Sequence, residues 1–512
     1  MIFYHVHIRC IMIIQYKFKY IHSNGLLIRL LNKIAKESNT EIFLDKEEDN
    51  YLLESSGEQN DLEKLATFVS TTIPSSIFLK HSSVQEIKEF TATKKSLEDN
   101  TKFYSVPFCI ECQDKIFKNS KDLNLDCEIC GFSNVELDAE DIEEKALEFE
   151  KNGECEVQTF NGKRLFSKTE GSSIICNDYA NISEYFVITQ SELNAMTSVE
   201  KPAIRLKPKL KFKLEFDLNK PFYYVFLPDD KITLSFCSFN KETKIIFCDD
   251  INIPKVATAL DKVLIIDSAR DFQDNNINNE IDMLQSIISE HKLITPSICA
   301  IHLSHKSNSK IFTFNSKIGH TSVVEFTNLP DSLSEVFELI KNQDESGEKL
   351  INNFQLKFEK LYSEIITHIF INKELQALSR FFAIVSNILN IGISHLDLES
   401  TAIEFGGKSG PRIDYKIKSE DGKYILDLTK AVRSVISFKL AGVDEYLISF
   451  GVLDSLADFL ATQAESAEAN ASSNTIFLSG NIFENRQLLL RTINAIEPNY
   501  KIYTNERTAI WS

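Results

Sequence analysis

Two Cys-x-x-Cys pairs, Cys109-Ile-Glu-Cys112 and Cys127-Glu-Ile-Cys130, are separated by fourteen residues and narrow what this chain can be. Four thiolates from two knuckles make the closed tetrahedral S4 site of structural zinc. Gly131 follows the second knuckle and permits the left-handed backbone that such a turn can need. The competing reading is four free thiols, or a site that has been lost. A closed S4 centre has no open coordination position, so it organises structure and says nothing directly about catalysis. The other six cysteines, Cys10, Cys155, Cys176, Cys237, Cys248 and Cys299, follow no repeated spacing. They read as buried thiols in a reducing compartment.

A length of 512 residues is a prior of about three to four domains. Apolar residues at 43% are enough for full cores and exclude global disorder. Lys and Arg total 56 against 74 Asp and Glu, a net charge of -18, which argues against nucleic acid as a partner over any broad surface. The 16 glycines are about 3% of the chain against a usual ~7%, leaving few loops that could cradle phosphate. The N-terminal run MIFYHVHIRCIMIIQYKFKY is interrupted by His5, His7, Arg9, Lys17 and Lys19. It has no small-residue cleavage site and no unbroken apolar run of about 18 residues. The expectation is a cytoplasmic protein with no membrane association, with Met12 as an alternative start to Met1.

Alternation over 13–21 predicts a strand and the helical period of 25–37 a helix. Two short strands around KEEDN, a helix from Asp61 to Val69 and a strand at IFLKHSSVQEI complete a βαββαβ order, the ferredoxin-like pattern. Residues 91–104 read as a polar linker. The acidic helix LDAEDIEEKALEFEKNGE reads as a solvated spacer. From 155 to about 290, short apolar runs predict strands, among them KLKFKLEF and KITLSFCSF. After 330, long amphipathic helices follow, with one late strand, TIFLSG, and the helix FENRQLLLRTINAI. ATQAESAEANASSN reads as a loop or a fraying helix end. The fold class expected is a multidomain α+β and α/β protein.

This order resembles HypF, the carbamoyltransferase family of [NiFe]-hydrogenase maturation. VPFCIECQDKIFKNSKDLNLDCEICG resembles the family's first zinc segment; the family's second segment has no counterpart here. AMTSVEKPAIRL resembles a stretch of its YrdC-like domain. LSRFFAIVSNILNI, ISFGVLDSLADFL and IFLSGNIFENRQLLLRTI resemble three runs of its TsaD-like domain. The resemblance implies an acylphosphatase-like domain at 12–90, a zinc ribbon at 101–135 and a reduced YrdC-like domain at 155–235. It also implies a TsaD-like domain of the actin/hexokinase type at 236–512. It implies structural zinc on Cys109, Cys112, Cys127 and Cys130, ATP as a candidate ligand at Ser479, Gly480 and Asn481, and a hydrogenase maturation protein as partner.

The departures from the family pattern fall on chemistry. HSNGLLIRLL keeps Gly25 but has Leu27 where the family's phosphate-binding arginine stands. Arg29, two residues further along a helix, is expected to point about 200° away. The family's H-x-x-x-H pair is missing; Cys299-x-x-His302-x-x-His305 is the nearest cluster, on a strand-like run where three apart means opposite faces. TNERTAIWS stands where the family would supply a late aspartate, and Ser479-Gly480-Asn481 replaces its S-G-G. GGKSGPR lacks P-loop spacing and reads as a loop. Asp267 reads as a strand-end cap. The expectation is a carbamoyltransferase-like protein with impaired catalysis, the alternative being an inactive zinc-binding scaffold. Whether it is an enzyme stays open at this point, and no catalytic residue is named.

Overall fold

The structure, a computed structural model, describes residues 12–101, 106–123, 126–130, 139–169, 171–177, 179–249, 253–267, 280–293, 297–305, 307–315, 317, 319–367, 375–507 and 509. Gly131, Cys10 and the alternative start at Met1 lie outside them. It matches the fold class expected from sequence, a mixed α/β protein with several sheets.

The first sheet has the strand order Ile42–Glu47, Asn50–Gly57, Met12–Tyr20, Leu79–Ile87, all antiparallel. The central strand alternates as its sequence does: Tyr16, Phe18 and Tyr20 are buried, while Lys17 and Lys19 are exposed. The buried set packs under the helices Leu26–Glu37 and Gln59–Thr72 through Leu27, Leu31, Leu62 and Leu65.

Residues 91–101, expected as a free linker, are pinned across this unit as a strap. Glu54, fully buried, accepts from the Thr91 and Ala92 backbone N–H groups at 2.8 and 2.9 Å and from the Thr91 hydroxyl. Leu44 and Lys94 exchange backbone bonds, and Asn32 exchanges two with the Leu97 backbone. Hydrophobicity gave no sign of this, because the strap is held almost entirely by polar groups.

The middle sheet has seven strands, in the order 154–159, 162–167, 245–248, 173–176, 223–226, 204–208, 186–187. Strand Ile245–Cys248 sits inside it, antiparallel to Ser173–Cys176. A boundary at 235/236 would therefore cut helix Lys231–Phe239 and remove an internal strand; the hydrogen bonding moves that edge past 248.

Two runs expected as strands are helices. KITLSFCSF begins on Asp230, whose side chain accepts from Thr233 N, and it is buried almost all round, so its period-2 pattern carried no information. In KLKFKLEF the helix Leu210–Glu215 buries Phe212 and leaves Leu210 and Leu214 exposed, so the apparent alternation came from unburied leucines. The acidic helix, Ala139–Asn152, is no solvated spacer. Ile142, Ala146 and Phe149 form a buried stripe, and the Phe149 ring meets Phe236 at 5.4 Å.

The C-terminal sheet runs 416–420, 423–427, 319–326, 310–315, 297–302, 475–479, 501–504. Ser297–His302, Thr475–Ser479 and Lys501–Thr504 are parallel neighbours. TIFLSG is thus a buried strand, as expected. Helix Arg486–Ile496 follows it with Leu488, Leu489 and Ile493 inward. The helix Glu445–Ala471 is long and apolar enough to cross a membrane, but Ile448, Val452, Leu456 and Leu460 are fully buried in this core, which accounts for its composition. It absorbs most of ATQAESAEANASSN and stops at Ser472, in left-handed geometry.

Candidate functional site

Helix Ile110–Lys118 starts on Cys109 and carries Cys112 in its first turn, while Cys127 and Cys130 come from the facing knuckle. All four Sγ atoms lie within 4.8 Å of one another, with Cys109–Cys127 and Cys112–Cys130 each at 3.6 Å. A tetrahedron with Zn–S near 2.3 Å has edges of about 3.8 Å, so the donor set fits. These contacts are too long for disulfides at ~2.05 Å. Ile129 N donates to Cys127 Sγ at 3.4 Å, a knuckle amide that supports a thiolate. Hydrogen bonding within the cluster, from Cys109 above all, draws the Cys127 thiol down and holds Cys109 and Cys130 up. A bound cation would draw all four into the thiolate form. Val106, Phe108, Ile116 and Leu123 pack around the thiols. Among the described residues no other group of His, Cys, Asp or Glu is arranged to hold a metal.

The second candidate is the turn after TIFLS. Gly480 has φ 101°, and a Cβ there would lie 2.1 Å from the Leu303 carbonyl oxygen. Backbone packing against Leu303 by itself requires a glycine here. Leu303 N donates to the Ser479 carbonyl at 3.0 Å and Ile482 N to the Leu303 carbonyl at 3.2 Å. Asn481 stands where the resemblance places a second glycine. Its Oδ1 accepts from His305 N at 2.8 Å, and the residue is buried.

The histidines expected to lie apart both reach this turn. His302 closes its strand on the face opposite Cys299, and its Nδ1 meets Ser479 Oγ at 2.9 Å. His305 lies beyond the strand end; its Nδ1 meets Ser379 Oγ at 2.7 Å and its ring stands 4.7 Å from that of His395. Asp267 ends its strand, and its exposed carboxylate pairs with Lys255 at 3.5 Å.

Beside this turn lies a buried ionic cluster that sequence reading missed. Arg205, from the middle sheet, pairs with Glu399 at 2.6 Å and lies 3.9 Å from Glu484, which accepts from the Tyr224 hydroxyl at 2.7 Å. Burial raises both carboxyls and Arg205 opposes it. Burial, reinforced by Arg205, lowers His395 to about 4. Only the side-chain types hint at it, because the partners lie far apart in the chain, Arg205 and Glu399 by 194 residues.

At the N-terminal cradle, Leu27 is core. Arg29 does not point away. Its side chain runs back along the helix, donates to the Asn24 carbonyl at 2.8 Å and lies 3.4 Å from Asp99 of the strap.

A family model described as the carbamoyltransferase, Kae1-like domain, second subdomain, matches residues 338–510. Two solved structures share the fold along nearly the whole chain. Full-length HypF in its phosphate- and nucleotide-bound form aligns with a TM-score of 0.57 at 13% identity, over 98% of this chain and 96% of that one. HypF of T. kodakarensis aligns with a TM-score of 0.63 at 11% identity, over 97% and 96%. Residues 338–510 thus match the carbamoyltransferase, Kae1-like family model, and the chain as a whole shares the fold of the solved HypF structures. Protein HydE of Wolinella succinogenes is 28% identical over 344 residues, which is 61% of this chain and 61% of that protein. The chain thus spans about three fifths of that curated relative's length.

Proposed function

We propose that this HypF-like chain serves [NiFe]-hydrogenase maturation as a zinc-stabilised, partner-binding member of the carbamoyltransferase family whose own carbamoyl transfer is impaired. One observation carries the reading. In the turn Ser479–Asn481 the Ser479 and Asn481 side chains are bonded to His302 and to the His305 N–H, and Gly480 packs against the Leu303 carbonyl, so contacts within the fold account for all three residues. The Cys109, Cys112, Cys127 and Cys130 set supports zinc as the resident ion, since four soft thiolates at tetrahedral spacing suit it. Zinc holds two knuckles together there and takes no part in a reaction.

In the intact reaction implied by the family, water first cleaves carbamoyl phosphate to carbamate and phosphate, and the carbamate oxygen then attacks the α-phosphorus of ATP. Pyrophosphate leaves, and the carbamoyl group then passes to a partner cysteine thiolate as AMP departs. The opposing reading, retained catalysis, draws on the imidazoles of His302, His305 and His395 gathered beside the strand ends. Strand carboxyl ends are where open α/β sheets bind ligands. The test is carbamoyl-phosphate-dependent release of AMP and pyrophosphate from ATP by the zinc-loaded chain, beside co-purification with a hydrogenase maturation protein. We expect background turnover together with a stable complex. Stoichiometric AMP formation would overturn the impairment, and no complex with any such protein would overturn the role.

A further inference from the structure

Helix Leu210–Glu215 presents side chains that the fold leaves unused. It follows strand Ile204–Pro208 and is fixed from below by Phe212, which is buried and meets the rings of Tyr185, Phe186 and Phe216 at 4.8, 5.2 and 4.7 Å. At about 100° per residue Leu210 lies about 200° from Phe212, so anchoring one turns the other outward. Leu210 and Leu214, four residues apart on that outer face, are 72% and 74% exposed. Lys211 lies about 100° to one side of Leu210 and Lys213 about 60° to the other, so ammonium groups flank the leucine pair.

The charge here runs against that of the whole chain. Four of the seven residues 207–213 are lysine in a protein of net charge -18, and the acids Glu215 and Asp217 come only after Leu214. Lys207 is held by Glu404 and donates to the Ser400 carbonyl at 2.6 Å. Burial, opposed by Glu404 and reinforced by Lys213, lowers its amine, a sign of the positive field around it. Lys209 Nζ donates to the Ser183 carbonyl at 2.5 Å, which satisfies a donor and leaves the charge unbalanced. Lys209, Lys211 and Lys213 have no ion-pair partner among the described residues. Two exposed leucines among unpaired lysines have a definite complement: apolar side chains with carboxylates beside them.

We propose that helix Leu210–Glu215 docks an acidic, leucine-bearing segment of a partner protein. This rests on the partner-binding reading above and names the chemistry that the partner presents. An anionic membrane offers similar charges, but spread over a plane, and the net charge of -18 opposes approach to a plane. A short acidic segment senses mainly the charges within a Debye length of about 8 Å, which here are the lysines. Two leucines also bury less apolar surface than a single myristoyl chain, which by itself holds a protein to a membrane only marginally.

The test uses the full zinc-loaded chain and, as probe, a fluorescent helical peptide of glutamate, alanine and leucine with its leucines four residues apart. Fluorescence anisotropy reads the Kd, and zero-length carbodiimide cross-linking mapped by mass spectrometry reads the place. We expect a sub-millimolar Kd that weakens as salt rises, and cross-links at Lys211 and Lys213. Binding should be at least five-fold weaker in Lys211→Glu and in Leu214→Ser, both exposed changes whose melting temperatures should match the parent's. The proposal fails if the peptide does not bind at millimolar concentration, if its lysine-for-glutamate version binds equally well, or if both variants bind as the parent does. It fails also if phosphatidylserine vesicles, and not the peptide, show the variant dependence. A maturation protein that co-purifies equally with the parent and with Lys211→Glu would keep the partner-binding role and remove this surface. A peptide footprint without any such complex would keep the surface and remove that role.

Discussion

Glu54→Ala should release the strap without unfolding the sheet beneath it. Glu54 lies on the central region of the first sheet with no exposed surface and accepts four bonds, from Thr91 N, Ala92 N, the Thr91 hydroxyl and Gln15 Nε2. Hydrogen bonds to a charged acceptor contribute roughly 1.5–3 kcal/mol each, but they share one carboxylate and do not add. Once freed, Thr91 and Ala92 can turn to water, so we expect a net loss of about 2–4 kcal/mol in local opening rather than the sum. At about 1.4 kcal/mol per decade, that is roughly a 30- to 1,000-fold fall in amide protection at Thr91 and Ala92. Hydrogen exchange read by mass spectrometry over 88–101 measures it, with the strand Met12–Tyr20 as internal control. Burial alone would raise the Glu54 carboxyl, but bonds from Thr91, Ala92 and Gln15 outweigh it and leave it lowered. A depressed acid gives stability that is present above its unfolded pKa and lost as pH falls through its folded value. Acid should therefore loosen the parent strap and have no further effect on the variant. Equal protection in parent and Glu54→Ala would refute the reasoning.

Cys127→Ser should abolish stoichiometric zinc, measured by elemental analysis, and destabilise residues 106–130, since metal affinity of about 10 kcal/mol in such modules is folding free energy. Gly480→Val should lower the melting temperature by more than any surface change, because its Cβ meets the Leu303 carbonyl at 2.1 Å in a backbone region close to glycine-only. Asn481→Gly should also destabilise, by about 1–3 kcal/mol, by orphaning His305 N, and titration with ATP should show no gain in affinity. His395, held at about 4, should stay neutral by NMR down to pH 5. A histidine depressed on folding removes stability as pH falls below its unfolded value near 6.5, here about 3 kcal/mol by pH 4, and His395→Gln should flatten that limb of the pH–stability curve.

The first sheet was legible because Tyr16, Phe18 and Tyr20 alternate cleanly with lysines on a half-buried strand. TIFLSG and its helix were legible for a similar reason, a short apolar run followed by helical spacing. Lys231–Phe239 was not, because a helix buried on every side keeps no amphipathic period and Asp230 was its only visible start signal. The metal centre could be read from spacing alone, since four cysteines two residues apart in pairs leave few geometries. At the turn of Gly480 the structure adds a reason for the glycine that the sequence did not offer. A glycine can be demanded by a neighbouring backbone as readily as by a phosphate, and sequence cannot tell Leu303 from a ligand. Arg205, Glu399 and Glu484 were invisible because their meeting depends on how the middle and C-terminal sheets dock.

The strap also sets a concentration. Its end brings the Asp99 carboxylate against Gly25, where Thr101 donates to it and Arg29 lies 3.4 Å away. Tethered by a chain only a few residues beyond its last anchor at Leu97, that carboxylate is present at an effective concentration of millimolar or more. Any free oxyanion approaching the Gly25 turn competes with an occupant that never diffuses away. At equal affinity for the turn, an anion in the micromolar range would lose that competition. The length of the tether thus enters the turn's selectivity alongside its side chains.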